Sequence, residues 1–280
     1  MSTLEAIILG IVQGLTEFLP ISSTAHVTIL GSWFGLVDHM GAEEWTVFLA
    51  VIQLGTLAAV LVYFAGDIAR ITRAFLRENI SDRQKFKEQS IDSRLGWYVI
   101  LGSIPIGFIG LAFKKFIEGE ATKDPFVIGT SLIVLALFLW WAEKVASFRK
   151  SVDDIGLREA MIVGFAQCLA LIPGSSRSGT TITAGLFVGM QREAAARFSF
   201  LLSIPAVAAS GGLEFIQALP MLNQGELVTL ILATLVSALS GYAAIAFLLR
   251  FLRSNSTMLF VFYRIAIGLL VLYLASQSII

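Results

Sequence analysis

Two short stretches of this chain carry residue types whose spacing could do chemistry. The first reads Gln13-Gly14-Leu15-Thr16-Glu17-Phe18-Leu19-Pro20-Ile21-Ser22-Ser23-Thr24-Ala25-His26. Gln13 and Glu17 are four residues apart and so share one helix face. Pro20 ends that helix and can open another at its first turn. The second helix then starts with the hydroxyls of Ser22, Ser23 and Thr24 and with free backbone N–H groups, and His26 follows one turn later. A carboxylate, a hydroxyl and an imidazole converge there, which is the material of acid–base and nucleophilic catalysis.

The second stretch reads Pro173-Gly174-Ser175-Ser176-Arg177-Ser178-Gly179-Thr180-Thr181. Gly174 and Gly179 let a backbone approach closely. A helix N-terminus offers N–H groups and the positive end of its dipole to an anion. Arg177 adds a planar, permanently charged fork that suits phosphate. Ser175, Ser176, Ser178 and Thr181 can complete the acceptor shell, and Gln13, Ser22, Thr24 and Gln53 are the matching candidates from the first half. The pair of stretches reads as an oxyanion or phosphate cradle. Plainer roles stand beside this one. A lone serine in an apolar helix commonly packs against a neighbouring helix, and Gln53 suits packing as well as site lining. His39, beside Asp38, reads as solvated, and Cys168 as a small buried apolar residue.

The elements that must position these residues lie in a membrane. Of 280 residues, 56% are hydrophobic and 14% are charged, with a mean hydropathy of +0.82. A soluble domain carries about 25% charged residues. Twenty Lys and Arg balance twenty Asp and Glu, so no basic surface points to nucleic acid. One cysteine leaves no intrachain disulfide framework. The N-terminal residues carry no Lys or Arg and no small-residue cleavage site, so the apolar segments are expected to belong to the mature protein. A spanning helix needs about 20 mostly apolar residues. Charge-free runs predict spans at 45–66, 95–113, 125–142, 195–213 and 227–249, and a sixth at 257–276 contains Arg264. That charge costs about 2.5–3.5 kcal/mol at mid-bilayer.

Residues 6–37 and 160–191 are apolar but broken by Pro20 and by Pro173-Gly174. Broken backbone cannot face lipid, so each is expected to be a re-entrant helical hairpin. Glu5–Leu15 aligns with Glu159–Leu169, and Pro20–Ser23 aligns with Pro173–Ser176 after one gap. Each copy, 1–145 and 155–280, holds three spans after its aligned stretch, an odd number that would turn the second copy upside down. The expected fold is a single all-α polytopic membrane domain built as an inverted-topology repeat, with its site where the breaks meet. The basic loops at 67–94, after 142 and near 250 predict a cytoplasmic face. The loop 214–226 has no Lys or Arg, the loop 114–124 is mixed, and both termini then fall on the outer side.

Several phosphate chemistries are excluded. Cys168 and Arg177 lack the C-x5-R spacing of cysteine phosphatases, and no nucleotide-binding Gly-x4-Gly-Lys loop is present. Thr183 stands where a Ser-Arg-x5-His pattern would need its histidine. By contrast, Gln-x3-Glu leading into Pro-x-Ser-Ser-Thr-x-His, paired with Pro-Gly-x-Ser-Arg-Ser-Gly and with Ser199–Pro205, resembles the undecaprenyl-diphosphate phosphatases of the bacitracin-resistance type over nearly the whole chain. The resemblance implies a bacterial inner-membrane enzyme that hydrolyses a C55 polyprenyl diphosphate lipid to its monophosphate, recycling the carrier for peptidoglycan synthesis. It also implies a site open to the outer side, a homodimer in many members, and a divalent cation, Mg²⁺ or Ca²⁺. Glu17 would hold the cation, and Glu17, Ser23, His26 and Arg177 would be catalytic. Gln13 departs from the glutamate that many members carry, and a neutral amide is neither a strong metal ligand nor a base. The nucleophile stays open between Ser23, His26 and water. The rival reading is a transporter or flippase of an anionic lipid or solute.

Overall fold

The computed structural model describes residues 1–113, 124–218 and 224–277, and among them there is no β-strand. The chain runs through α1 (Thr3–Phe18), α2 (Ser23–Trp33), α3 (Leu36–Tyr63), α4 (Ala65–Leu76) and α5 (Ile91–Ala112). It continues through α6 (Pro125–Val145), α7 (Leu157–Gln167), α8 (Arg177–Phe187), α9 (Arg192–Ala218), α10 (Gln224–Ser254) and α11 (Met258–Ser276). Six stretches are long and apolar enough to cross a bilayer: Glu44–Tyr63, Ile91–Ala112, Pro125–Val145, Arg192–Gln217, Leu227–Ser254 and Met258–Ser276. Large apolar side chains such as Phe108, Leu111 and Leu239 are exposed on these helices. In water they would form an aggregation-prone surface, whereas lipid tails solvate them without cost. This is a polytopic all-α membrane fold. Most of the loop 114–124, and part of 214–226, lie outside the described residues.

The two broken regions appear as helix pairs, α1 with α2 and α7 with α8, each joined by a few non-helical residues. Ser2 caps α1, with Glu5 reaching back to close a capping box. Each helix after a break begins at a serine cap, Ser22 for α2 and Ser176 for α8, whose hydroxyl accepts from the amide three residues on. Both serines take a positive φ, +74° and +68°. That shared strain sets the correspondence of the two copies as Ser22 with Ser176 and Ser23 with Arg177. The gapped pairing of Pro20 with Pro173 is therefore corrected: the alignment that begins at Glu5 and Glu159 continues without a gap.

Close helix crossings depend on small residues, as expected where lipid gives no hydrophobic drive for association. Gly10 and Gly14 of α1 sit against backbone carbonyls of α10 at Ala233 and Ser237, and Gly55 of α3 meets the same helix at Thr234. Gly164 of α7 crosses Gly102 of α5 backbone to backbone, and Gly129 of α6 faces Gly268 of α11. At one end of the bundle, ion pairs tie the helices together. Arg197 meets Asp67 at 2.5 Å, Arg70 meets Asp92 at 3.0 Å, and Arg253 meets Glu193 at 2.9 Å. Glu143 takes Arg192 at 2.5 Å and the Thr257 hydroxyl at 2.8 Å. These pairs bring the ends of α6 and α10 and the chain after α3 together with the starts of α5, α9 and α11. The basic segments thus share one face.

A Cβ at Gly164 would run into the Gly102 carbonyl, whereas one at Gly107 meets nothing within 4 Å. Gly164→Val should destabilise the purified protein by about 1–3 kcal/mol, the usual range for overpacking. Gly107→Val should leave the thermal melt, followed by tryptophan fluorescence in detergent, where it was.

Candidate active site

The site forms where the two breaks meet. α1 ends at Phe18 because Pro20 follows, and this puts Glu17 in the last turn, buried. Gln13, one turn back on the same face, donates its amide to Glu17 Oε2 at 2.8 Å. The Ser23 hydroxyl, in the first turn of α2, donates to the same oxygen at 2.5 Å. Arg177, in the first turn of α8, donates Nη2 to Glu17 Oε1. The carboxylate thus collects a hydroxyl, an amide and a guanidinium from three helices, and the Arg177 side chain keeps 17% of its surface exposed. Ser178 completes the junction by donating to the Leu19 carbonyl at 2.9 Å.

The junction is braced by Arg264, which in the sequence stood out only for the cost of its charge. Its side chain is fully buried on α11. Nε donates to the Leu132 carbonyl at 3.2 Å and Nη1 to the Pro20 carbonyl at 3.2 Å. Nη2 donates to the carbonyls of Gly174 at 3.3 Å and Ser175 at 2.9 Å. One guanidinium therefore ties the first break, the second break and α6 together, and three of its four partners are carbonyls of Pro20, Gly174 and Ser175, which the breaks leave outside the helices. A Cβ on Gly179 would lie 2.5 Å from Nη1, so α8 needs glycine there. Gly174 sits at φ +82° with a Cβ position blocked by Ile128 and Ser131, so that residue is also confined to glycine. The Ser131 hydroxyl donates to the Pro173 carbonyl alongside.

His26 lies on α2 three residues after Ser23. Its Nδ1 lies 2.7 Å from the Ser22 carbonyl and its Nε2 lies 2.7 Å from the Tyr263 hydroxyl. Among the remaining candidates, the hydroxyls of Ser22 and Ser176 are spent on capping, with Ser176 also 3.1 Å from Ser178 Oγ. The buried Ser175 hydroxyl has no hydrogen bond among the described residues. Thr24 is half-buried in the first turn of α2. Thr181 turns away from the junction, donating to the Arg177 carbonyl at 2.7 Å and lying 2.6 Å from Ser199 Oγ. Gln53 is half-buried on α3, and only its backbone carbonyl is engaged, by Thr56. His39 is exposed. The residues that sequence reasoning missed are Arg264 and Tyr263. The penalty for an intramembrane charge was the one signal for Arg264, and Tyr263 had none.

The backbone amides of Ser23 and Thr24, and of Arg177 and Ser178, have no acceptor among the described residues, so two helix N-termini bring free donors to the junction. Their dipoles, the Arg177 fork and the uncompensated charge of Arg264 make the place attractive to a polyanion. For a metal ion, the described residues contain no group of three His, Cys, Asp or Glu side chains. A carboxylate offers about four acceptor positions, and Glu17 uses three. The fourth, with the Gln13 amide oxygen, gives hard oxygen donors of the kind Mg²⁺ takes when phosphates and water supply the rest.

Replacing Arg264 should strike the fold first. Arg264→Met leaves four buried carbonyls without their donors, a loss of about 3 kcal/mol or more. Arg264→Lys keeps the charge but lacks the fork that spans both breaks. Both variants should melt well below wild type in detergent, and a melting temperature equal to wild type for Arg264→Met would refute the staple.

The family model described as bacitracin resistance protein BacA matches residues 6–270. A protein of Syntrophobacter fumaroxidans named Undecaprenyl-diphosphatase is 59% identical over 268 residues, 96% of this chain and 95% of that protein. Proteins of the same name from Chloroherpeton thalassium and Myxococcus xanthus are 51% and 50% identical, covering 99% and 98% of this chain and 98% and 89% of their own lengths.

Proposed function

The chain belongs to the bacitracin resistance protein BacA family, and on that premise we propose that it hydrolyses undecaprenyl diphosphate to undecaprenyl phosphate and inorganic phosphate. The observation that carries the reading is the meeting of Glu17, Ser23 and Arg177 across two helix breaks, beside free N-terminal amides. Arg177 and the first turns of α2 and α8 bind the diphosphate. As the phosphate takes over Arg177, Glu17 is released from that ion pair and still faces the Ser23 hydroxyl. Ser23 attacks the terminal phosphorus, its proton passes to Glu17, and the bond from that phosphorus to the bridging oxygen breaks to release undecaprenyl phosphate. Water then attacks the phosphoserine, inorganic phosphate leaves, and a proton returns to the Ser23 oxygen. The 2.5 Å bond from Ser23 to Glu17 favours this route over direct attack by His26, whose two nitrogens face Ser22 and Tyr263.

Glu17 and the Gln13 amide oxygen would hold a divalent cation, Mg²⁺ or Ca²⁺, together with substrate oxygens. When bound, it neutralises charge developing on the leaving phosphate. The site would lie in a bacterial inner membrane, with the basic segments cytoplasmic and the opening outward. The recycled monophosphate would serve peptidoglycan synthesis, and rapid recycling would confer bacitracin resistance. The protein would work as a homodimer.

The test is phosphate release from a C55 isoprenyl diphosphate by purified protein in detergent. Release should need Mg²⁺ or Ca²⁺ and stop with EDTA. Glu17→Gln and Arg177→Ala should each lower kcat by at least about 100-fold, the scale of a lost charge-stabilising group. Folded wild-type protein that releases no phosphate would overturn the reading, and uptake into proteoliposomes would then be measured. For orientation, a cysteine at Lys85 in a Cys168→Ser background should react with an impermeant maleimide only after the cells are opened.

A further inference from the structure

Tyr263 has no place in the mechanism above, yet its phenol makes one of the most specific contacts at the site. Its hydroxyl lies 2.7 Å from His26 Nε2, and the two rings stand 5.6 Å apart at an interplanar angle of 10°. The other nitrogen fixes how this contact must be read. Nδ1 lies 2.7 Å from the Ser22 carbonyl, which can only accept, so Nδ1 carries the hydrogen. A neutral imidazole then has one acceptor, Nε2, and Tyr263 is its donor. The ring is clamped at both ends, by a strained serine on its own helix and by a tyrosine on α11.

The clamp is anchored. Tyr263 precedes Arg264, whose guanidinium is held by four carbonyls of α6 and the two breaks. The staple that sets the distance between the breaks therefore also sets the position of the tyrosine. Tyr263 itself remains 39% exposed. Nothing in the packing requires a hydroxyl at a half-exposed position on an apolar helix, whereas the histidine does require a donor.

We propose that Tyr263 is a positioning residue for the phosphatase reaction: by occupying Nε2 it holds His26 in one tautomer and one plane, so that Nδ1 keeps its hydrogen bond to the Ser22 carbonyl next to the attacking Ser23. The proposal rests on the phosphatase reading given above. It makes Tyr263 act through His26 and through no other group. The chain has two histidines, so ¹⁵N-histidine labelling reports the ring directly, with His39→Asn assigning the second set of signals.

The experiment combines those spectra with a double-variant cycle. In wild type, His26 should show a single neutral tautomer with hydrogen on Nδ1. In Tyr263→Phe, which keeps the ring and loses the hydroxyl, the Nε2 signal should move and the second tautomer should appear. Tyr263→Phe should lower kcat by about tenfold, less than the roughly 100-fold that a 1 Å misplacement of a reacting group can cost, with KM unchanged. In a His26→Ala background the same change should have no further effect, because the two residues act as one unit. Unmoved His26 signals, or an equal loss in both backgrounds, would overturn the proposal. If wild type releases no phosphate, the phosphatase reading falls, while the histidine signals still decide whether Tyr263 holds the ring.

Discussion

A buried positive charge without an anionic partner among the described residues is the constraint around which this structure is arranged. Arg264 is fully buried, and its hydrogen bonds go to four backbone carbonyls. Removing an ion from water costs several kcal/mol even after relaxation, so the carbonyl dipoles must be close and well aimed. The need is mutual. A helix that stops inside a membrane leaves carbonyls unsatisfied, and no water is present to take them. Three of the four carbonyls belong to the breaks, so one guanidinium answers the defects of both hairpins. The distance between Pro20 and Gly174 then follows from the width of the arginine fork, and with it the meeting of Glu17 and Arg177.

The two halves of the chain contribute unequal chemistry to that meeting. Gln13 and Gln167 hold corresponding places in α1 and α7. Gln13 bonds to Glu17 four residues on, but Leu171 stands at the matching position after Gln167. The Gln167 amide is buried and has no hydrogen bond among the described residues. Where the first copy places Ser23, the second places Arg177. One copy therefore supplies the base and the hydroxyl, and the other supplies the cation that faces the anion. Neither half alone holds both.

How far the sequence could be read follows from the range of each interaction. Gln13, Glu17, Ser22, Ser23 and His26 lie within a few turns of one another, so helix spacing and one proline suffice to group them. The same holds for Gly174 to Gly179. Span number and the shared face of the basic loops follow from apolar runs and alternation. Arg264 was visible only as a penalty, because its partners lie about 90 to 244 residues away and are backbone atoms without a residue signature. Thr181 was grouped with the site on proximity in sequence, yet the helical twist turns it onto Ser199. Gln53 shows the same limit, since a polar residue in an apolar helix does not declare which way it faces. The φ of Ser22 and Ser176 had no signal either, because serine does not advertise a left-handed backbone as glycine does.

The place of Arg264 on α11 has a consequence for how the protein is made. Translation proceeds from the first hairpin to the sixth span, so both breaks enter the bilayer before the residue that satisfies their carbonyls exists. Throughout that interval the nascent chain carries polar backbone ends with no permanent donor. The insertion machinery, or water trapped beside it, must shelter them until α11 emerges. Arrival of that helix is thus the closing act of assembly, and premature termination anywhere upstream of Arg264 yields a product that can be inserted but has no keystone.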